Sequence, residues 1–231
     1  MDLKNLEKQV LFEDNHLLVV NKLASQIVQG DKTGDIPLSD IYKEYLKKKY
    51  NKPGNVFCGV IHRLDRPVSG VVLLAKTSKA LSRMNEQFRE REIQKIYWAV
   101  VRGTPESLKS TLVHYLKKNE KDNRSFISKE GVTGALRSEL SYEVLKAGDN
   151  YSLVEVKPLT GRHHQIRVQL SSIGCPIAGD VKYGDRRGND DKSICLHARQ
   201  LIFKHPVQGH QLTITASTPD QKYWNIFKEM F

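Results

Sequence analysis

The 231-residue chain is 39% apolar and 27% charged, proportions that exclude disordered, collagen-like and fibrous classes and supply a core needing no disulfide or metal staple. Its 37 Lys and Arg against 26 Asp and Glu leave a formal charge of +11, which favours nucleic acid as partner over a membrane surface or a merely basic exterior. The longest apolar run, Ile96 to Val101, has six residues against the roughly 20 that span a bilayer, so no membrane partner is expected.

Taken in chain order, Met1-Asp2-Leu3-Lys4-Asn5-Leu6-Glu7-Lys8 alternates charge with single leucines, unlike a secretory signal, and a cytoplasmic protein is expected. Leu17 to Val20 reads as a short buried strand. Leu38, Ile41, Tyr42, Tyr45 and Leu46 follow helical spacing from near Ser39 or Asp40, and Lys47-Lys48-Lys49 forms the basic end, either a solvated face or a phosphate contact. Val71 to Ala75 is a second strand. Leu81, Met84 and Phe88 mark a helix whose other face carries Arg83, Arg89 and Arg91. Ile96 to Val101 is a third strand, and its alternation sends Tyr97 and Trp98 to opposite faces, one toward the core and one toward a cleft.

Leu136 to Val144 and Ser152 to Lys157 alternate as half-buried antiparallel strands do and suggest a hairpin. Ile166, Leu170 and Ile173, followed by Gly174 and Pro176, predict a short helix over 163–173. Tyr223, Phe227, Met230 and Phe231 suggest a closing C-terminal helix. With neither repeats nor a linker, the pattern predicts a single α+β domain over residues 1–231, self-sufficient as a monomer. Cys58, Cys175 and Cys195 form no Cys-x-x-Cys pair and are read as small buried residues.

Three segments concentrate chemistry. In His62-Arg63-Leu64-Asp65-Arg66-Pro67-Val68-Ser69-Gly70, one carboxylate lies between two arginines in a turn that opens into a buried strand. Asp65 is there either a nucleophile flanked by guanidinium charge or a structural cap of the turn. In Leu159-Thr160-Gly161-Arg162-His163-His164-Gln165-Ile166-Arg167, a glycine turn enters a helix, and Arg162 and Arg167 suit one anionic site. The adjacent histidines lack the spacing of metal ligands, and no metal is expected. In Lys95-Ile96-Tyr97-Trp98-Ala99-Val100-Val101-Arg102-Gly103, an aromatic ring beside basic residues suits either base stacking or the core.

These segments, in this order, resemble the RluA-type family of RNA pseudouridine synthases. The first looks like the family's HRLDxxxSG signature, with Asp65 on its catalytic aspartate. The strand is similar to KxYxAxVxG, with Tyr97 on the active-site tyrosine. Gly161 to Arg167, continuing to Gly174-Cys175-Pro176-Ile177-Ala178-Gly179-Asp180, looks like GRxHQIR followed by GxPIxGD, with Arg167 on the arginine that pairs with the aspartate. Leu196-His197-Ala198-Arg199 and Phe203-Lys204-His205-Pro206 resemble a late family segment. The chain departs from the pattern in Asn21-Lys22-Leu23-Ala24-Ser25, which lacks the usual Pro and Gly, and at Gln169, where a histidine is common.

The resemblance implies a central mixed, largely antiparallel sheet flanked by helices; many members carry an additional N-terminal S4 RNA-binding domain, but with the first strand reached by about residue 17 none is expected here. It implies isomerisation of a flipped-out uridine in ribosomal or transfer RNA, with no cofactor. Asp65 would attack C1′ of the ribose or C6 of the base, or promote a glycal route; Tyr97 would stack on the base; Arg167 would pair with Asp65. Arg63 and Arg66 would fill the gap in the RNA or bind phosphate, and Lys76, Arg83, Arg89, Arg91 and Arg162 would extend a basic track. The competing readings are an inactive RNA-binding protein on the same fold and a metal-dependent nuclease. Asp65, Tyr97 and Arg167 together speak against the first, since a carboxylate repels phosphate. The second lacks a carboxylate cluster near the histidines.

Overall fold

The computed structural model describes residues 3–230 and divides into two compact units. The first holds residues up to Lys95 and Ala198–Thr218; the second holds Ile96–His197 and the residues from Pro219 onward.

In the first unit, α1 (Leu3–Glu7) precedes β1 (Val10–Glu13) and β2 (Leu17–Lys22), followed by α2 (Leu38–Lys49), β3 (Gly59–Val60), β4 (Ser69–Ala75) and α3 (Ser78–Arg89). After the second unit the chain returns through β10 (Leu196–Lys204), whose first two residues belong to the second unit, and β11 (Gln211–Thr215). The strand order is β1-β2-β4-β10, with β11 on β10 and β3 on β4. The antiparallel β2–β4 register runs from Leu17↔Ala75 to Lys22↔Gly70.

Every residue of β4 is buried, which is why the strand reads as an unbroken apolar run instead of an alternating one. Leu17, Val19, Val71, Leu73, Leu201, Phe203 and Ile214 form one core face, covered by Ala80 and Met84 of α3. Each such aliphatic side chain contributes about 1.5–3 kcal/mol by leaving water. The helix starts where Thr77 accepts from the Ala80 amide at 3.1 Å, an N-cap of the usual kind. Gly70 is obligatory: at φ +115° an added Cβ would lie 2.3 Å from the Ala198 carbonyl oxygen.

The second unit carries β5 (Gln94–Arg102), whose first two residues belong to the first unit, then β6 (Lys109–Asn119), β7 (Arg124–Ser128), β8 (Leu136–Ala147), β9 (Tyr151–Pro158) and α4 (Gln165–Ser172). These strands lie in the order β5-β9-β8-β6-β7, each pair antiparallel. The fold is α+β, a mixed, largely antiparallel sheet flanked by helices.

The hairpin expected from Leu136 and Ser152 is β8–β9, and the expected helix is α4, stopped by Gly174 at φ +76°. Two expectations are corrected. Neither Tyr97 nor Trp98 is buried; the core residues of β5 are Ala99, Val100 and Val101, and the Trp98 indole N–H reaches Glu155 on the paired strand. The closing helix is instead one turn, α5 (Lys222–Asn225), and a 3-10 turn over Lys228–Met230. Trp224 and Phe227 are the buried anchors, whereas Met230 is 41% exposed and Phe231 lies outside the described residues. Among the described residues no helix is long and apolar enough to cross a membrane.

Candidate active site

Asp65 sits, half-buried, at the start of a turn whose ends are pinned by Leu64 and Val68, both buried. The turn closes with the Val68 amide donating to the Asp65 carbonyl at 3.0 Å. Its backbone is clasped from β2. The Lys22 ammonium, with no exposed surface, donates to the carbonyls of Leu23 at 3.0 Å, Arg66 at 3.1 Å and Val68 at 2.5 Å, which uses all three of its N–H groups. The Ser25 amide adds a bond to the Arg66 carbonyl at 2.8 Å.

Burial pushes the Lys22 ammonium down to about 7; the Asp65 carboxylate opposes that shift and Arg66 adds to it. The segment that lacks the family's Pro and Gly therefore supplies the cation that fixes the turn. A single lysine at a strand end gives no sequence signal of such burial, and the residue was missed.

His62 holds the other side of the turn. Where β3 ends, its Nε2 accepts the Leu73 amide at 3.0 Å, and its ring stacks on Phe88 at 5.1 Å. The imidazole is thus neutral with its proton on Nδ1. Burial, with a smaller contribution from Lys95, pushes it down to about 4. The unfolded chain, with histidine near 6.5, binds the proton first on acidification, so this contribution is intact above about pH 6.5 and is lost as pH falls toward 4. The urea midpoint is expected to be lower at pH 5 than at pH 7, with a smaller difference in His62→Gln; equal differences would exclude His62 as a source.

The expected basic track divides. Lys76 is turned inward: its ammonium pairs with Glu13 at 2.8 Å, lies 4.9 Å from the Tyr50 ring centroid and is 8% exposed, so its charge serves the fold. Arg66 reaches Asp35 at 2.6 Å, Thr33 at 2.6 Å and Asp31 at 3.2 Å. Arg83 donates to the Pro206 carbonyl at 2.6 Å, and Arg89 faces Glu86 and Glu90. Arg63 and Arg91 are exposed.

In the second unit, Tyr97 lies opposite Val156 on β9 and is half-buried. The approach to α4 is held by Gln165. Its Oε1 accepts from Thr160 at 2.7 Å and from the Arg162 amide at 3.0 Å, and its Nε2 donates to the Glu139 carbonyl. The Arg162 guanidinium reaches the Arg137 carbonyl at 3.3 Å.

His164, at φ +53°, takes a left-handed conformation uncommon outside glycine. It is held there by Tyr183, whose hydroxyl lies 2.8 Å from His164 Nδ1 and accepts the Ser125 amide at 2.8 Å. Burial, then the charge of Arg167, pushes His164 far below the usual histidine range. His163 Nδ1 is 2.9 Å from Ser125 Oγ, so both histidines are engaged by side-chain hydroxyls.

Arg167 projects from α4 and is 5% exposed. Its Nε donates to Asp180 Oδ2 at 2.7 Å and its Nη2 to Asp180 Oδ1 at 2.8 Å, while its guanidinium carbon lies 5.0 Å from the Tyr183 ring centroid. Asp180 and Tyr183 were missed as site residues, although Asp180 ends the GxPIxGD segment that carried part of the resemblance.

A sequence model described as RNA pseudouridylate synthase matches residues 16–172. The chain belongs to this family. Among RNA pseudouridylate synthases it is similar to a ribosomal large subunit pseudouridine synthase C of Pasteurella multocida (strain Pm70), 36% identical over 217 residues that cover 91% of this chain and 64% of that protein. The protein of the same name from Haemophilus influenzae (strain ATCC 51907 / DSM 11121 / KW20 / Rd) is 35% identical over 222 residues, 94% of this chain and 67% of that one. The chain thus spans about two-thirds of the length of the curated relatives it matches. Among solved structures, Human RNA Pseudouridylate Synthase Domain Containing 4 superposes with a TM-score of 0.79 at 26% identity, over 94% of this chain and 91% of that one.

Proposed function

We propose that this chain is an RNA pseudouridine synthase, an isomerase that converts specific uridines of structured RNA into pseudouridine. The observation that carries the reading is the buried Lys22 clasp on the turn that presents Asp65. Within this family, a fully desolvated ammonium committed to the backbone around one carboxylate is an investment in that carboxylate's position.

In the proposed reaction the N1–C1′ bond of the flipped uridine breaks and a C5–C1′ bond forms. The C5 proton leaves to solvent and N1 gains one, so no oxidant, reductant or metal enters the balance. Asp65 is the nucleophile, Arg167 the cation that orients it, and Tyr97 the ring that stacks on the base.

The two units are proposed to act as one catalytic domain. The family match runs through both, and β5 and β10 carry the chain from one to the other. The reading includes a monomer in the cytoplasm, with three buried free thiols suited to a reducing compartment.

The relatives' name makes ribosomal RNA the first pool to try, ahead of transfer RNA. Incubation with each pool, digestion and nucleoside chromatography are expected to show pseudouridine rising as uridine falls in one of them. Unchanged composition in both, with RNA still bound, would favour a binding protein on the same fold.

Arg63 and Arg91, exposed, are the proposed phosphate contacts. Arg91→Ala is expected to weaken RNA affinity and to reduce the salt slope by about 1. Equal slopes for parent and variant would remove Arg91 from the contact surface.

A further inference from the structure

We propose that Asp180 is a positioning residue for the reaction, setting through a two-point fork the plane and direction in which Arg167 presents its remaining donors. This rests on the reading of Arg167 as the cation that orients Asp65.

A guanidinium on a flexible side chain has several rotors, and one hydrogen bond leaves it free to swing. Two parallel bonds, from Nε and Nη2 to the two oxygens of one carboxylate, fix its plane and direct the Nη1 side away from Asp180. The face of the plane is set by Tyr183, 5.0 Å away, whose hydroxyl is in turn held by Ser125 and His164.

The backbone that carries the carboxylate is itself held in place. The Asp180 amide donates to the Ile177 carbonyl at 3.0 Å, and the Asp180 carbonyl accepts from Tyr183 at 3.0 Å and Asp185 at 3.1 Å. The preceding Gly179, at φ +85°, donates to Asp185 Oδ2 at 2.7 Å, and an added Cβ would lie 2.7 Å from the Asn189 side chain. Asp185 is anchored to Arg102 of β5. A connected series thus runs from β5 through Asp185, the Gly179 turn and Asp180 to Arg167.

Stability alone does not account for it. Asp180 is 1% exposed and Arg167 5%, and apolar replacements of such buried pairs are often as stable or more so. A group that must aim a second guanidinium edge is the function that an apolar pair cannot supply.

The test compares the folded parent, Asp180→Asn and Asp180→Glu, each measured well below its melting temperature. The readouts are kcat and KM on a modifiable RNA and, separately, RNA affinity. Asparagine offers one acceptor and sets an NH2 group against a guanidinium donor, so the fork is lost without a large change in volume.

Asp180→Asn is expected to lower kcat about 100-fold at nearly unchanged KM and RNA affinity, the cost of a misaimed group. Asp180→Glu, with the carboxylate restored one methylene out, is expected to recover about tenfold of that. A folded Asp180→Asn with kcat within twofold of the parent would overturn the proposal. Should Asp180→Asn not fold, Asp180→Glu decides alone: a parent-like kcat contradicts the proposal, and about a tenfold loss at unchanged KM supports it. Asp65→Asn and Arg167→Met run alongside separate the two levels. If they abolish turnover and the Asp180 variants keep a parent-like kcat, the positioning role fails while the reaction stands; if they leave turnover intact, the underlying reading fails.

Discussion

Asp65→Asn is expected to lower turnover by about 10⁴-fold or more, the order lost when a covalent nucleophile is removed, while folding and RNA affinity stay close to the parent. The substitution replaces one oxygen by an NH2 group of the same size. Bonds from the Val68 amide, the Lys22 ammonium and the Ser25 amide to backbone carbonyls hold the turn around it, and the substitution leaves these donors and acceptors in place. The unfolding midpoint and the RNA dissociation constant are therefore the controls. A variant that folds and binds RNA but does not isomerise uridine assigns the chemistry to Asp65. A variant that isomerises at the parent's rate removes it from the reaction.

Arg167→Met is expected to be nearly as damaging to turnover, and it also strikes stability. It leaves the Asp180 carboxylate, 1% exposed, without its bidentate partner, and breaking one side of a buried pair costs about 3–5 kcal/mol. The double change Arg167→Met with Asp180→Leu removes both charges and is expected to regain most of that stability but none of the turnover. Urea denaturation and the isomerisation assay on the two variants separate the effects. Turnover restored in the double variant would show that Arg167 serves only to neutralise Asp180.

The parts of the fold readable in the sequence were those where one physical constraint dominates. β2 and β4 are buried along almost their whole length, so they stand out as apolar runs; α3 and α4 carry apolar faces at helical spacing. β6 was not readable because only Leu116 of its eleven residues is buried, so lysines and polar residues interrupt every periodicity.

The site divides the same way. Asp65 and Tyr97 were visible as residue types in a local motif. The Arg167–Asp180 fork joins residues 13 positions apart through a turn whose shape no spacing rule encodes. Lys22 and Lys76 expose the limit of counting charge. Both add to the net +11, yet one is spent on three carbonyls and the other on Glu13.

The most direct measurement is release of tritium into water from RNA labelled at uridine C5, with ribosomal and transfer RNA pools offered separately to the parent chain and to Asp65→Asn. Isomerisation cannot form the C5–C1′ bond without freeing that hydrogen. Release by the parent alone, from at least one pool, is the expected result. Release at the same rate by Asp65→Asn, or none by the parent from either pool while RNA remains bound, would contradict it.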